Sequence, residues 1–148
     1  MTRIRVAADT QGLARVFETY ETFTNANKVP DTIRRDVYVA LEEIVSNVFR
    51  HGSRRRKAHI NLTLAIDRGA FHVEIVDDGP PFDPFSAPEP DTTQALHDRP
   101  IGGLGILFVN NLTDDHSYAR RGGRNRVTLR RHWGSDLDSM HPPAPRRP

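Results

Sequence analysis

An acidic, an amide and an imidazole side chain follow one another at intervals of four residues, at Glu43, Asn47 and His51. Residues three and four apart on a helix are neighbours on its surface. A helix here would therefore present a carboxylate, a metal-ligating amide oxygen and a ring nitrogen along one edge. The same pattern is common on solvated helix surfaces, so these residues define a site only in combination with others.

A second stretch with chemical potential is Asp77-Asp78-Gly79, which follows a predicted strand. A carboxylate at the end of a strand can accept a hydrogen bond from an exocyclic amine, and a glycine beside it lets a flat ring approach the backbone. An ordinary turn is the alternative interpretation of this stretch.

The third stretch is the glycine cluster Gly102-Gly103-Leu104-Gly105, directly before a short apolar helix. Glycines that open a helix expose backbone N–H groups and the positive end of the helix dipole to an anion. No Gly-Lys-Ser/Thr follows, which excludes a Walker A loop, and the strand-first context of a dinucleotide fingerprint is missing. A packing cluster is the alternative. Together, the three stretches contain the parts of a site for a magnesium–nucleoside triphosphate complex.

The elements that would position these stretches follow from hydrophobic periodicity. Antiparallel strands with helices grouped between them favour an α+β fold, a two-layer α/β sandwich with a mainly antiparallel sheet. The predicted elements are a strand at 2–7, helices at 10–27 and 31–51, a hairpin at 60–66 and 71–75, a helix at 106–112 and a closing hairpin at 116–121 and 124–133.

The chain of 148 residues has the length of one domain, which we place at residues 1–133. Residues 84–101 are rich in proline and have no apolar period, and we interpret them as a lid over the site. Residues 134–148, rich in proline and arginine, are expected to be a disordered tail.

Composition excludes several functions. Cysteine is absent, which excludes disulfides and thiolate chemistry, and the seven histidines have no zinc-site spacing. The net charge of +2 is small, and the basic run at 54–57 is interpreted as a solvated loop, so neither a nucleic-acid nor a membrane partner is expected. No signal peptide or membrane-spanning stretch is visible, and we expect a cytoplasmic location.

The three stretches, in this order and at this spacing, resemble the nucleotide-binding boxes of the ATPase superfamily that includes gyrase, Hsp90, histidine kinases and MutL. The resemblance covers about residues 31–131. Within the superfamily, the compact form with two leading helices resembles the anti-sigma-factor serine/threonine kinases. The resemblance therefore implies the histidine-kinase-like ATPase (Bergerat) fold, with ATP and Mg²⁺ as cofactors.

It also implies roles for individual residues. Asn47 would ligate Mg²⁺, and Glu43 would be the general base that takes the proton of a serine or threonine hydroxyl. Asp77 would accept from the adenine amine, and Gly79 would give room to the base. His51 is expected only to order the helix end.

The resemblance also implies that the backbone of Gly103, Leu104 and Gly105 binds the phosphates. Two positions depart from the family pattern. No lysine stands in the lid or at the glycine cluster to neutralise the γ-phosphate, and Arg99 is the nearest cation. Asn125 stands where many superfamily members have threonine near the adenine, which puts that contact in question.

The function implied is a partner-switching protein kinase that regulates transcription. It would phosphorylate a small anti-sigma-factor antagonist and sequester a sigma factor or an equivalent regulator, and it would be a homodimer. One alternative is a non-catalytic ATP-binding module. Another is the catalytic domain of a sensor histidine kinase, although we expect no room for its helical dimerisation domain before Thr2.

Overall fold

Five antiparallel strands and two long helices make up the part of the chain that the computed structural model describes, residues 1–51, 58–86 and 109–133. The strands lie in the order β1-β2-β3-β5-β4. The elements are β1 (Thr2–Ala7), α1 (Thr10–Ala26), α2 (Asp31–His51), β2 (His59–Asp67), β3 (Ala70–Asp77), β4 (Asp115–Arg121) and β5 (Arg124–His132).

One face of the sheet is apolar because buried residues alternate along the central strands, and both helices pack on this face. In β2 the alternating residues Ile60, Leu62 and Leu64 are fully buried, and they join one hydrophobic cluster with Val16 of α1 and Leu41 of α2. Two layers, helices on a sheet, result. The predicted α+β sandwich is confirmed.

The start of α1 is fixed by a side-chain cap and by a close backbone approach. Asp9 accepts a hydrogen bond from the Gly12 backbone N–H at 2.9 Å, which satisfies one of the open donors of the first turn. A Cβ atom on Gly12 would lie 1.8 Å from the carbonyl oxygen of Ala7. Glycine at this position therefore lets α1 lie directly against the end of β1.

Aromatic rings join α1 to the sheet and to α2. Phe71 of β3 stacks on Tyr20 and Phe23 of α1, with ring centroids 5.8 and 5.7 Å apart. The Tyr20 hydroxyl donates to the Arg34 carbonyl oxygen of α2 at 2.6 Å, so the polar end of this buried ring is satisfied. These contacts hold α1 on the sheet and link it to α2.

The predicted strands and the two long helices are found within one or two residues of their expected bounds. Of the predicted helix at 106–112, residues 109–112 are described and are helical. The lid at 84–101 is described only at 84–86, and the tail at 134–148 lies outside the described residues, so both remain predictions. Within the described ranges, no helix is at once long and apolar enough to cross a membrane.

Candidate functional site

A cleft lies where the C-terminal half of α2 passes over the ends of β3 and β5. It holds about 340 Å³ of empty space, including the part that opens to solvent. The strand order places β3 beside β5, with Asp77 directly opposite Asn125. The cleft is lined by Ile44, Asn47, Val48 and His51 of α2, by Asp77, Gly79, Pro80, Phe82 and Pro84, and by Asn125 and Val127 of β5.

Asp77 is the buried carboxylate of the cleft, with 5% of its surface exposed. Its Oδ1 accepts hydrogen bonds from the Gly79 backbone N–H and from Asn125 Nδ2, each at 2.9 Å. Within the described residues its Oδ2 receives no donor from the protein. One oxygen is thus held in place, and the other can accept from an exocyclic amine of a ligand.

The environment of Asp77 works against its charge. Burial raises the pKa of the Asp77 carboxyl, and the hydrogen bonds from Asn125 and Gly79 oppose this rise because they stabilise the ionised form. The two donors therefore keep a buried group available as an acceptor.

Gly79 is required by this carboxylate. A Cβ atom at position 79 would lie 2.8 Å from Asp77 Oδ1, closer than real Cβ contacts allow. The sequence suggested that glycine gives room to a base, and the geometry shows that it also gives room to the carboxylate that would hold the base.

Asn125 is a buried residue whose side chain is fully engaged. Its Nδ2 donates to Asp77 Oδ1 and to the Pro80 carbonyl oxygen, at 2.9 and 2.8 Å. Its Oδ1 accepts from the Tyr118 hydroxyl at 2.9 Å and from Arg120 Nη1 at 2.7 Å. Both amide hydrogens are used. Asn125 thus holds Asp77 in place and has no donor left for a base.

Tyr118 and Arg120 were not singled out from the sequence as site residues. Both lie on β4, two residues apart, and therefore on the same face of the sheet. Arg120 pairs with Asn125 in the strand register. Alternation along β4 was the available signal, but it says which face a residue is on and not which polar group it meets there.

Glu43 and Asn47 form the edge predicted on α2. Asn47 is 5% exposed, and its Oδ1 accepts a hydrogen bond from Arg50 Nη2 at 2.7 Å. The same nitrogen lies 3.3 Å from Glu43 Oε1. The carboxylate oxygen of Glu43 and the amide oxygen of Asn47 thus both contact one positively charged group.

The donor set fits Mg²⁺ only with help from a ligand. Among the residues that the structure describes, no group of three or more acidic or histidine side chains could hold a metal ion. Mg²⁺ commonly binds one or two protein oxygens together with waters and phosphate oxygens. The Asn47 oxygen beside Glu43 is compatible with that kind of site.

His51 forms a wall of the cleft. Its ring stacks on Phe82, with centroids 4.3 Å apart and planes at 15°. This contact joins the last turn of α2 to the segment after β3, which agrees with a supporting place for His51.

Four predicted site residues cannot be compared with the structure. Gly103, Leu104, Gly105 and Arg99 lie outside the described residues. The phosphate-binding part of the site therefore remains a prediction.

Known proteins share this sequence pattern and fold. The profile of the family described as "Histidine kinase-like ATPase domain" matches residues 6–131. The serine/threonine-protein kinase BtrW of Bordetella bronchiseptica is 37% identical over 93 residues, which are 63% of this chain and 63% of that protein. The match thus spans less than two thirds of BtrW.

Solved structures share the fold at low sequence identity. The RsbU and RsbW domains of a Mycobacterium tuberculosis protein have a TM-score of 0.59 and 14% identity, with 89% of this chain and 32% of that one covered. The SiaB–SiaC complex from Pseudomonas aeruginosa gives a TM-score of 0.54 and 13% identity, covering 88% and 89%. Identities this low indicate a shared architecture and no more.

Proposed function

The chain belongs to the histidine kinase-like ATPase family, and we propose that it is an ATP-dependent protein serine/threonine kinase. The observation that carries the proposal is the cleft itself, which is lined both by the buried carboxylate of Asp77 and by Asn47 of α2. The similarity to BtrW, a named serine/threonine-protein kinase, supports the choice of acceptor.

In the proposed complex, adenine occupies the cleft. Its exocyclic amine donates to Asp77 Oδ2, while Asn125 and Gly79 hold Oδ1. Ile44 and Val127 offer apolar surface to the ring, as nucleotide pockets usually do. The exocyclic amine distinguishes adenine from bases that carry a carbonyl at that position.

Asn47 would hold Mg²⁺ through Oδ1 together with the phosphates. When bound, the ion neutralises charge on the phosphates, which phosphoryl transfer chiefly requires. Glu43, one helical turn before Asn47, would accept the proton of the serine hydroxyl while the serine oxygen bonds to the γ-phosphorus. The bond from that phosphorus to the β–γ bridging oxygen breaks, and ADP leaves. Gly103, Leu104, Gly105 and Arg99 are proposed for the phosphates.

The proposed partners are a small anti-sigma-factor antagonist, as the phosphorylated protein, and a sigma factor or equivalent regulator that is sequestered. This part of the proposal is a fold-level analogy: among proteins of this architecture, an RsbW domain was solved together with an RsbU domain, and SiaB was solved in complex with SiaC. We include homodimerisation and a cytoplasmic location in the proposal.

Phosphoryl transfer tests the proposal. The full chain is incubated with radiolabelled ATP, Mg²⁺ and candidate antagonist proteins of the native host, and nucleotide binding is measured separately by calorimetry. We expect Glu43→Gln to retain ATP binding and to lose transfer by roughly 100-fold or more, the usual contribution of a general base.

Glu42→Gln is the matched control, because Glu42 is the neighbouring acidic residue and is exposed on α2. It should transfer phosphate as the wild type does. Binding without transfer by the wild type would favour a non-catalytic ATP-binding module. Unchanged Mg²⁺-dependent ATP binding in Asn47→Ala would refute the site assignment.

A further inference from the structure

The guanidinium of Arg50 lies between the side chains of Glu43 and Asn47 on α2. Arg50 lies three residues after Asn47 and seven after Glu43, so all three are on one side of α2. Its Nη2 carries two hydrogens and donates to Asn47 Oδ1 at 2.7 Å and to Glu43 Oε1 at 3.3 Å. One nitrogen of Arg50 thus bridges the proposed metal ligand and the proposed base.

Arg50 also sets the orientation of the Asn47 amide. Asn47 Nδ2 is buried and has no hydrogen-bond partner among the described residues. An unpartnered buried amide nitrogen is unfavourable, and the bond from Arg50 to Oδ1 offsets part of that cost. The amide oxygen is consequently held toward the Arg50 guanidinium.

We propose that the Arg50 guanidinium occupies the Asn47 oxygen in the unliganded protein and competes with Mg²⁺ for it. This inference rests on the proposed function, because it assumes that Mg²⁺ binds at Asn47. The Arg50 side chain is 39% exposed, so it can leave for solvent when the metal–nucleotide complex enters. Its departure frees Glu43 and Asn47 in the same step.

Competition between Arg50 and Mg²⁺ predicts the direction in which Mg²⁺ affinity changes when Arg50 is replaced. A partly exposed ion pair contributes little free energy, so its removal changes metal affinity modestly. In Arg50→Gln the metal no longer displaces a cation, and we expect the Mg²⁺ concentration at half-saturation to fall roughly two- to fivefold. Arg50→Lys retains the positive charge and should restore a value near that of the wild type.

The experiment is a Mg²⁺ titration of the full chain, saturated with a non-hydrolysable ATP analogue and followed by calorimetry. Arg35→Gln is the matched control, because it removes the same charge from an exposed position of the same helix and should leave the half-saturation unchanged. As a readout without nucleotide, the NMR resonance of the Asn47 side-chain amide should shift in Arg50→Gln and not in Arg35→Gln.

Each outcome has one meaning. An unchanged or higher half-saturation in Arg50→Gln, with normal binding by the wild type, overturns the role of Arg50 and leaves the proposed function intact. Absence of Mg²⁺-dependent binding in the wild type overturns both. An equal shift in both arginine variants would show a general charge effect and would also overturn the role.

Discussion

At the scale of single residues, the site depends on a buried acid whose charge is maintained by its neighbours. Asp77 is buried by the packing of β3 against β5 and α2, and Asn125 and Gly79 supply the hydrogen bonds that oppose the effect of burial. Tyr118 and Arg120 hold the Asn125 amide in the required orientation. A buried, ionised carboxylate lowers the stability of the folded protein, but ligand binding requires it. A substitution of Asp77 should therefore raise stability and weaken binding.

That conflict gives a prediction for Asp77→Asn. The asparagine can still accept at Oδ1, and it removes a buried charge, so the unliganded protein should become more stable at neutral pH by about 1 kcal/mol. ATP binding should be lost, because the amide would present a donor to the exocyclic amine. Thermal unfolding and calorimetry measure the two effects.

The sign of the pH dependence follows from the raised pKa of Asp77. A group with a higher pKa in the folded state binds protons more strongly when folded, so its unfavourable contribution appears as pH rises from the unfolded pKa through the folded pKa. The difference in unfolding free energy between Asp77→Asn and wild type should therefore be largest at neutral pH. It should disappear when the pH falls below the usual pKa of aspartate. Asp67→Asn, at an exposed strand end, is the control for removing a carboxylate from the surface. A difference that widens on acidification would contradict this account of Asp77.

At the scale of the elements, α2 serves both the core and the site. Its buried side holds Val37, Leu41 and Ile44 against the sheet, and its adjoining edge presents Glu43 and Asn47. A shift of α2 on the sheet would therefore move the metal edge relative to Asp77. The contacts of α1 with the sheet and with α2 thus help to set the geometry of the cleft, although α1 does not line it.

Gly12→Ala tests how tightly this layer is set. The new methyl would meet the backbone oxygen of Ala7, which cannot move without moving β1. We expect a loss of about 1–3 kcal/mol in unfolding free energy, as overpacked sites usually show. Gln11→Ala, one residue earlier on the exposed surface of α1, should be neutral or slightly stabilising. Chemical denaturation gives both values, and equal stability of the two variants would show that α1 can lift off β1 without cost.

At the scale of the whole molecule, local patterns predicted the elements and one edge of the site. Alternation in β2 and the 3.6-residue period of α2 fixed what each element buries, and the spacing of Glu43 and Asn47 placed them together within one helix. The pairing of Asp77 with Asn125 could not be predicted in the same way, because it depends on the register of strands 48 residues apart. The bridge made by Arg50 was also missed, since helix spacing gives many neighbours and does not say which of them bond.

The extent of the domain gives the last prediction. The described part of the chain ends at Trp133, whose backbone N–H donates to the Gly69 carbonyl oxygen at 2.8 Å and whose ring packs on the core. A chain that ends at Trp133 should therefore unfold within about 1 °C of the full chain and bind ATP equally, because residues 134–148 are predicted to lie outside the domain. A chain that ends at His132 loses the bond to Gly69 and the ring, and its melting temperature should fall by at least about 4 °C, the effect of roughly 1 kcal/mol in a domain of this size. Scanning calorimetry of the two truncations decides the boundary: a large loss already in the longer one would place part of the tail within the folded domain.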